Sequence, residues 1–138
     1  MYDFFCMDVA HNNKEFIGVF HLTPDTSRPG RVLSSVRIGD VFMSRLEIQP
    51  GVICGNYYHK ETDVILYAEQ GQVIAAFEHV ETKEKTDCSL DLGQKVVHVP
   101  AYIAHGTKNV GTSLAVVVFL SNKPLRSDDD CYSYPVLF

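Results

Sequence analysis

Gly51-Val-Ile-Cys-Gly-Asn-Tyr57-Tyr58-His59-Lys-Glu-Thr-Asp63-Val64-Ile-Leu-Tyr67-Ala-Glu-Gln-Gly71 and Gly93-Gln-Lys-Val-Val-His98-Val-Pro100-Ala-Tyr102-Ile-Ala-His105-Gly-Thr-Lys-Asn109 share one design. Each opens on a glycine that suits a turn, passes a histidine and runs on into apolar residues suited to a strand. Tyr57 and His59 lie two apart, so on an extended chain they share one face.

Outward from these segments, turn signals recur at short intervals: Thr23–Gly30, Pro50–Gly51, Gly71, Glu81–Lys85, Gly93, Pro100 and Gly111. Between them the β-rich runs are Phe16–Leu22, Arg31–Ile38, Val41–Ile48, Val64–Ala68, Val73–Val80, Lys95–Val99 and Leu114–Leu120. No long stretch keeps a helical period. Many short, evenly spaced strands predict an all-β sandwich or barrel. Val73–Val80 and Leu114–Leu120 are apolar on both parities, which predicts burial on both faces, between sheets or against a second subunit. The tail, Ser127–Tyr134 and then Pro135–Phe138, reads as a loosely held terminus able to pack back on the barrel.

A chain of 138 residues suits one domain, here residues 1–138, with one sizeable core. With 46% hydrophobic and 21% charged residues it is ordinary globular material. A net charge of −5 without a Lys/Arg stripe argues against a nucleic-acid or anionic-membrane surface, and no apolar run has membrane-spanning length. MYDFFCMDVAHNN lacks the basic leader and apolar stretch of a secretion signal, so a cytoplasmic location is expected. Cys6, Cys54, Cys88 and Cys131 form no C-x-x-C pair and are expected to be free thiols.

The paired segments resemble the two motifs of the cupin superfamily, roughly G-x5-H-x-H-x4-E-x6-G and G-x5-P-x-G-x2-H-x3-N. Gly93, Pro100, His105 and Asn109 match the second, with one extra residue before the proline. The resemblance spans Gly51 to Asn109 and implies a double-stranded β-helix, or jelly-roll barrel. The turns and tail, including Gly-Asn-x-Tyr-His-Lys and Leu120-Ser-Asn-Lys-Pro, are similar to cupins of carbohydrate biosynthesis. That group includes deoxysugar 3,5-epimerases, nucleotide-sugar 3,4-ketoisomerases and capsule-assembly cupin domains.

A metal-binding cupin supplies two histidines and a glutamate from its first motif and a histidine from its second. Here Tyr57 holds the first histidine position and Val64 the glutamate position, leaving His59 and His105. At least three good ligands are needed. Asp63 would need a bulge to face inward, and His98 would need an inward strand face. The expectation is therefore no metal and no cofactor.

What the resemblance implies is a pocket in which Tyr57, His59 and His105 converge as the catalytic candidates. His59 would be a base and Tyr57 an acid for proton abstraction beside a sugar ketone, with His105 on the opposite wall. For Tyr57, filler of a collapsed metal site is an equal reading. Arg45, sharing parity with Met43 and Glu47, is a candidate for phosphate or carboxylate recognition if it faces inward, and an outward Arg45 paired with a surface acid is at least an equal reading. Tyr67 and Tyr102 are candidate wall or rim residues. Asn109 is the fourth binding candidate, and a turn-fixing role is its plainer alternative. The partner expected is a small polar ligand such as a nucleotide sugar, bound by a homodimer. The competing functions are an epimerase or ketoisomerase, a non-catalytic ligand-binding cupin, and a metal-dependent oxygenase.

Overall fold

The computed structural model describes residues 11–14, 16–90, 94–125 and 128–138, so Cys6 and Gly93 lie outside the described residues. Its elements are all strands: β1 His11–Lys14, β2 Ile17–Val19, β3 Thr23–Asp25, β4 Arg31–Ile38, β5 Val41–Ile48, β6 Ile53–Tyr58, β7 Val64–Gln70, β8 Val73–His79, β9 Lys85–Leu90, β10 Val97–Val99, β11 Ile103–Asn109, β12 Ala115–Ser121 and β13 Tyr132–Ser133. A six-stranded sheet, β10-β7-β12-β5-β4-β3, faces a five-stranded sheet, β13-β6-β11-β8-β9, and every pairing is antiparallel. This is the jelly-roll barrel that the paired motifs imply. Among the described residues no helix is long and apolar enough to cross a membrane.

Period-2 alternation builds the core. On β5, Phe42, Ser44, Leu46 and Ile48 are buried, whereas Met43, Arg45 and Glu47 take the other face. Ile48, Val64, Leu66, Ala68, Val73, Ala75, Leu90, Val99, Ala115 and Val117 join one apolar cluster fed by both sheets. Fully burying one such Leu or Ile contributes about 1.5–3 kcal/mol. The run Ala115–Phe119 is buried on both parities, as its unbroken apolar sequence requires.

Two glycines shape the site's surroundings. Gly71 has φ +87°, and a Cβ there would meet the Ala115 Cα at 2.8 Å, so only glycine lets β7 turn this close to β12. In β6, Gly55 and Asn56 both have positive φ, at 94° and 64°. The register against β11 runs from Gly106↔Gly55 straight to His105↔Tyr57, leaving Asn56 unpaired as a bulge. That extra residue resets the alternation, so Cys54 and Tyr57, three apart, both turn to the barrel interior. A Cβ on Gly55 would meet the His105 carbonyl oxygen at 3.0 Å.

Candidate active site

Between the sheets lies a cavity of about 870 Å³, lined among others by Tyr57, His59, Cys131, Arg28 and Arg31. That volume is within the range of small-molecule sites. β6 carries Tyr57 inward, and His59 follows just past the strand end on the same face. His105, opposite Tyr57 in the register, comes from β11. The Tyr57 ring meets both imidazoles edge-on, with centroids 5.2 Å from His59 and 5.2 Å from His105, and the imidazoles are 5.4 Å apart. The three catalytic candidates are thus brought together. His105, however, does not line the cavity as an opposite wall. It is 4% exposed and packs behind Tyr57.

Hydrogen bonds fix the tautomers. His59 Nδ1–H donates to the main-chain carbonyl of Asp130 at 2.7 Å, which leaves Nε2 bearing the lone pair. His59 Nε2 is buried and has no hydrogen-bond partner among the described residues. His105 Nδ1–H donates to the Ile103 carbonyl at 3.2 Å. Burial pulls His59 below its ordinary pKa of 6.5, against the opposing pull of the Asp130 carbonyl. Deeper burial takes His105 down to about 4, and the neighbouring His59 adds to the drop. Burial pushes the Tyr57 phenol up to about 12, with the Cys131 and Cys54 thiols acting in the same direction. Near neutral pH the site therefore holds two uncharged imidazoles and one protonated phenol.

This donor set does not fit the metal of a metal-binding cupin. Holding each Nδ1–H on a carbonyl would suit a metal-bound imidazole as well as a base, but a third good ligand is missing. Val64, at the glutamate position, is fully buried in the apolar core. Asp63 is exposed and meets the exposed His98 at 3.3 Å on the outside of the barrel. Among the described residues no group of three His, Cys, Asp or Glu side chains could hold an ion.

The four binding candidates fall elsewhere. Arg45 lies on the outward parity of β5, where it bonds Glu47 at 2.7 Å and approaches Glu69 at 4.0 Å. Tyr67 is on the outer face of β7, opposite in parity to the buried Val64, Leu66 and Ala68. Tyr102 takes a left-handed turn with φ 68° and tilts against Tyr58 at 6.2 Å, outside the cavity. Asn109 is wholly buried and fixes its turn: Nδ2 donates to the Ile48 and Ser113 carbonyls, and Oδ1 accepts from the Gly111 N–H. Its amide has no atom left for a ligand.

Two cavity features escape the sequence reading. Arg28 and Arg31 stand in and beside what reads there only as a turn. Arg31, with a side chain 12% exposed, is braced by the Asp25 carbonyl at 3.1 Å and the Asp25 carboxylate at 3.6 Å, while Arg28 is exposed at the cavity rim. The other is the tail. Far from hanging loose, it pairs through β13 with β6, and Asn56 holds it by accepting from the Val136 and Leu137 N–H groups and donating to the Leu137 carbonyl. Cys54, Cys88 and Cys131 are free thiols.

A two-sheet jelly roll with an interior histidine pair defines a protein of the cupin class. Comparison with solved structures agrees. The capsular polysaccharide assembling protein CapF of Staphylococcus aureus superposes with a TM-score of 0.76 at 20% identity, covering 85% of this chain and 35% of that one. An oxalate oxidase in complex with glycolate superposes with a TM-score of 0.63 at 17% identity, covering 83% and 72%. At such identities the likeness is one of fold. The chain spans about a third of the length of CapF. Residues 31–132 match the family described as the polysaccharide biosynthesis C-terminal domain, and the chain belongs to that family. No curated protein sequence is similar enough to count as a match.

Proposed function

We propose that this cupin binds a nucleotide sugar and moves a proton beside a sugar ketone, as an epimerase or ketoisomerase does. The observation that carries the reading is the unpartnered Nε2 of His59, left proton-free by the Nδ1–H bond to the Asp130 carbonyl, on a residue that lines a ligand-sized cavity. In this reading His59 Nε2 takes the α proton and the C–H electron pair moves into the new carbon–carbon double bond as the ketone becomes an enolate. Tyr57, protonated near neutral pH, gives its O–H proton to the enolate carbon; His59 then releases the proton it took to solvent and the Tyr57 phenolate recovers one from solvent, so both return to their starting states. The guanidinium groups of Arg28 and Arg31 offer the phosphates of the ligand charge-assisted hydrogen bonds.

The test is the melting shift on adding a dTDP-sugar. Wild type is expected to melt higher in its presence, by an amount that grows with ligand concentration. Arg28→Ala should lose most of that increment while keeping its own unliganded melting point. No shift at millimolar ligand, or an undiminished shift in Arg28→Ala, contradicts the reading.

A further inference from the structure

Asp130 occupies a left-handed backbone conformation, φ 50°, which aspartate tolerates better than most residues. Its carboxylate accepts from the Lys60 N–H at 2.9 Å, the Glu61 N–H at 2.8 Å and the Thr62 hydroxyl at 2.7 Å. Those donors form the turn that immediately follows His59. From the other end of the same residue, the main-chain carbonyl accepts the His59 Nδ1–H at 2.7 Å. The carboxylate makes no hydrogen bond to the imidazole. One tail residue therefore holds the backbone after His59 and the ring of His59 at once, across some seventy positions of sequence.

We infer that Asp130 is a positioning residue for His59: its carboxylate clamps the 60–62 turn so that its carbonyl meets Nδ1–H and keeps Nε2 the proton-free nitrogen. This rests on the reading of His59 as the base, but concerns a geometry that can be measured without any substrate. Without the carbonyl acceptor, a neutral imidazole is free to carry its proton on either nitrogen. Asp130→Ala removes three charge-assisted hydrogen bonds and places alanine at positive φ. The carbonyl should then leave Nδ1. Asp130→Asn keeps one acceptor oxygen and tolerates the same φ, so it should largely restore the contact.

The experiment is long-range proton–nitrogen correlation NMR of the full chain at pH 8, reading the tautomers of His59 and His105. In wild type, His59 should show Nδ1 protonated and Nε2 of the unprotonated, pyridine-like type. In Asp130→Ala, His59 should become a mixture or the Nε2–H form, while His105, held by Ile103, stays unchanged as an internal control. Asp130→Asn should resemble wild type. Wild-type His59 carrying its proton on Nε2 overturns the inference even if no variant folds. So does an Asp130→Ala protein with the His59 tautomer intact, or one in which both histidines change together, the mark of general loosening. A failure of sugar binding would leave these tautomers untouched, so the two claims fall separately.

Discussion

Acidification is the perturbation the buried imidazoles register most sharply. His105 is 4% exposed, wedged beside Tyr57 and His59, and its folded pKa of about 4 lies below the 6.5 of an unhindered imidazole. Between those values the unfolded chain binds a proton at this position and the native chain does not, so stability falls as pH falls. The stabilisation is fully present above pH 6.5, drains through the interval, and changes no further below about pH 4. At about 1.4 kcal/mol per pH unit the interval is worth about 3 kcal/mol, a large share of the 5–15 kcal/mol typical of a domain. The assay is urea unfolding of wild type and His105→Gln at half-unit steps from pH 7.5 to 4. Glutamine does not titrate, and the smaller contribution of His59 is present in both proteins. The variant should be the less stable at pH 7.5, with the gap narrowing by about 3 kcal/mol by pH 4. Parallel curves, or a gap that widens on acidification, would refute the burial of a neutral imidazole at this place.

Three further outcomes are expected. The purified protein should carry well under one equivalent of iron, manganese or zinc by elemental analysis, because no three His, Cys, Asp or Glu side chains among the described residues converge to hold an ion; one tightly held equivalent contradicts this. Gly71→Ala should lower the urea midpoint, costing at least about 1 kcal/mol, since alanine would be strained at φ +87° and its Cβ would press on the Ala115 backbone. An unchanged midpoint would count against the close approach of β7 and β12. The outer face of the six-stranded sheet leaves Ile38, Val41, Met43, Ile65 and Leu120 each 37–52% exposed, and a second copy of the chain is expected to cover it. Sedimentation at micromolar concentration should show a dimer, and a monomer would remove that claim without touching the fold.

Arg31–Ile38 and Val41–Ile48 read as strands at their true bounds because alternation and turn residues frame them on both sides. β6 was harder to see. Gly55 and Asn56 break its pattern, and the bulge they form is what turns Tyr57 inward. β9, Lys85-Thr-Asp-Cys-Ser-Leu, is a mostly exposed edge strand with little apolar alternation to mark it. β3 lies inside a stretch whose Pro and Gly content signals only a turn. At the site, Tyr57, His59 and His105 were legible because two motifs fix their places. The Asp130 clamp was not, since it joins residues some seventy positions apart and meets the His59 ring only through a main-chain carbonyl. Arg45 shows the limit of parity reasoning. The period-2 rule groups it correctly with Met43 and Glu47 but cannot say which face is inside until the burial of Phe42, Ser44 and Leu46 decides it.

In the proposed function His59 is a base facing a bound sugar. The most direct test is exchange of the proton α to the ketone of a dTDP-4-keto sugar in deuterium oxide, followed by proton NMR with wild type and His59→Asn. Wild type should wash the α proton out, and His59→Asn should do so at least about a hundredfold more slowly while still binding the ligand. A His59→Asn protein that exchanges the proton at the wild-type rate would contradict the account.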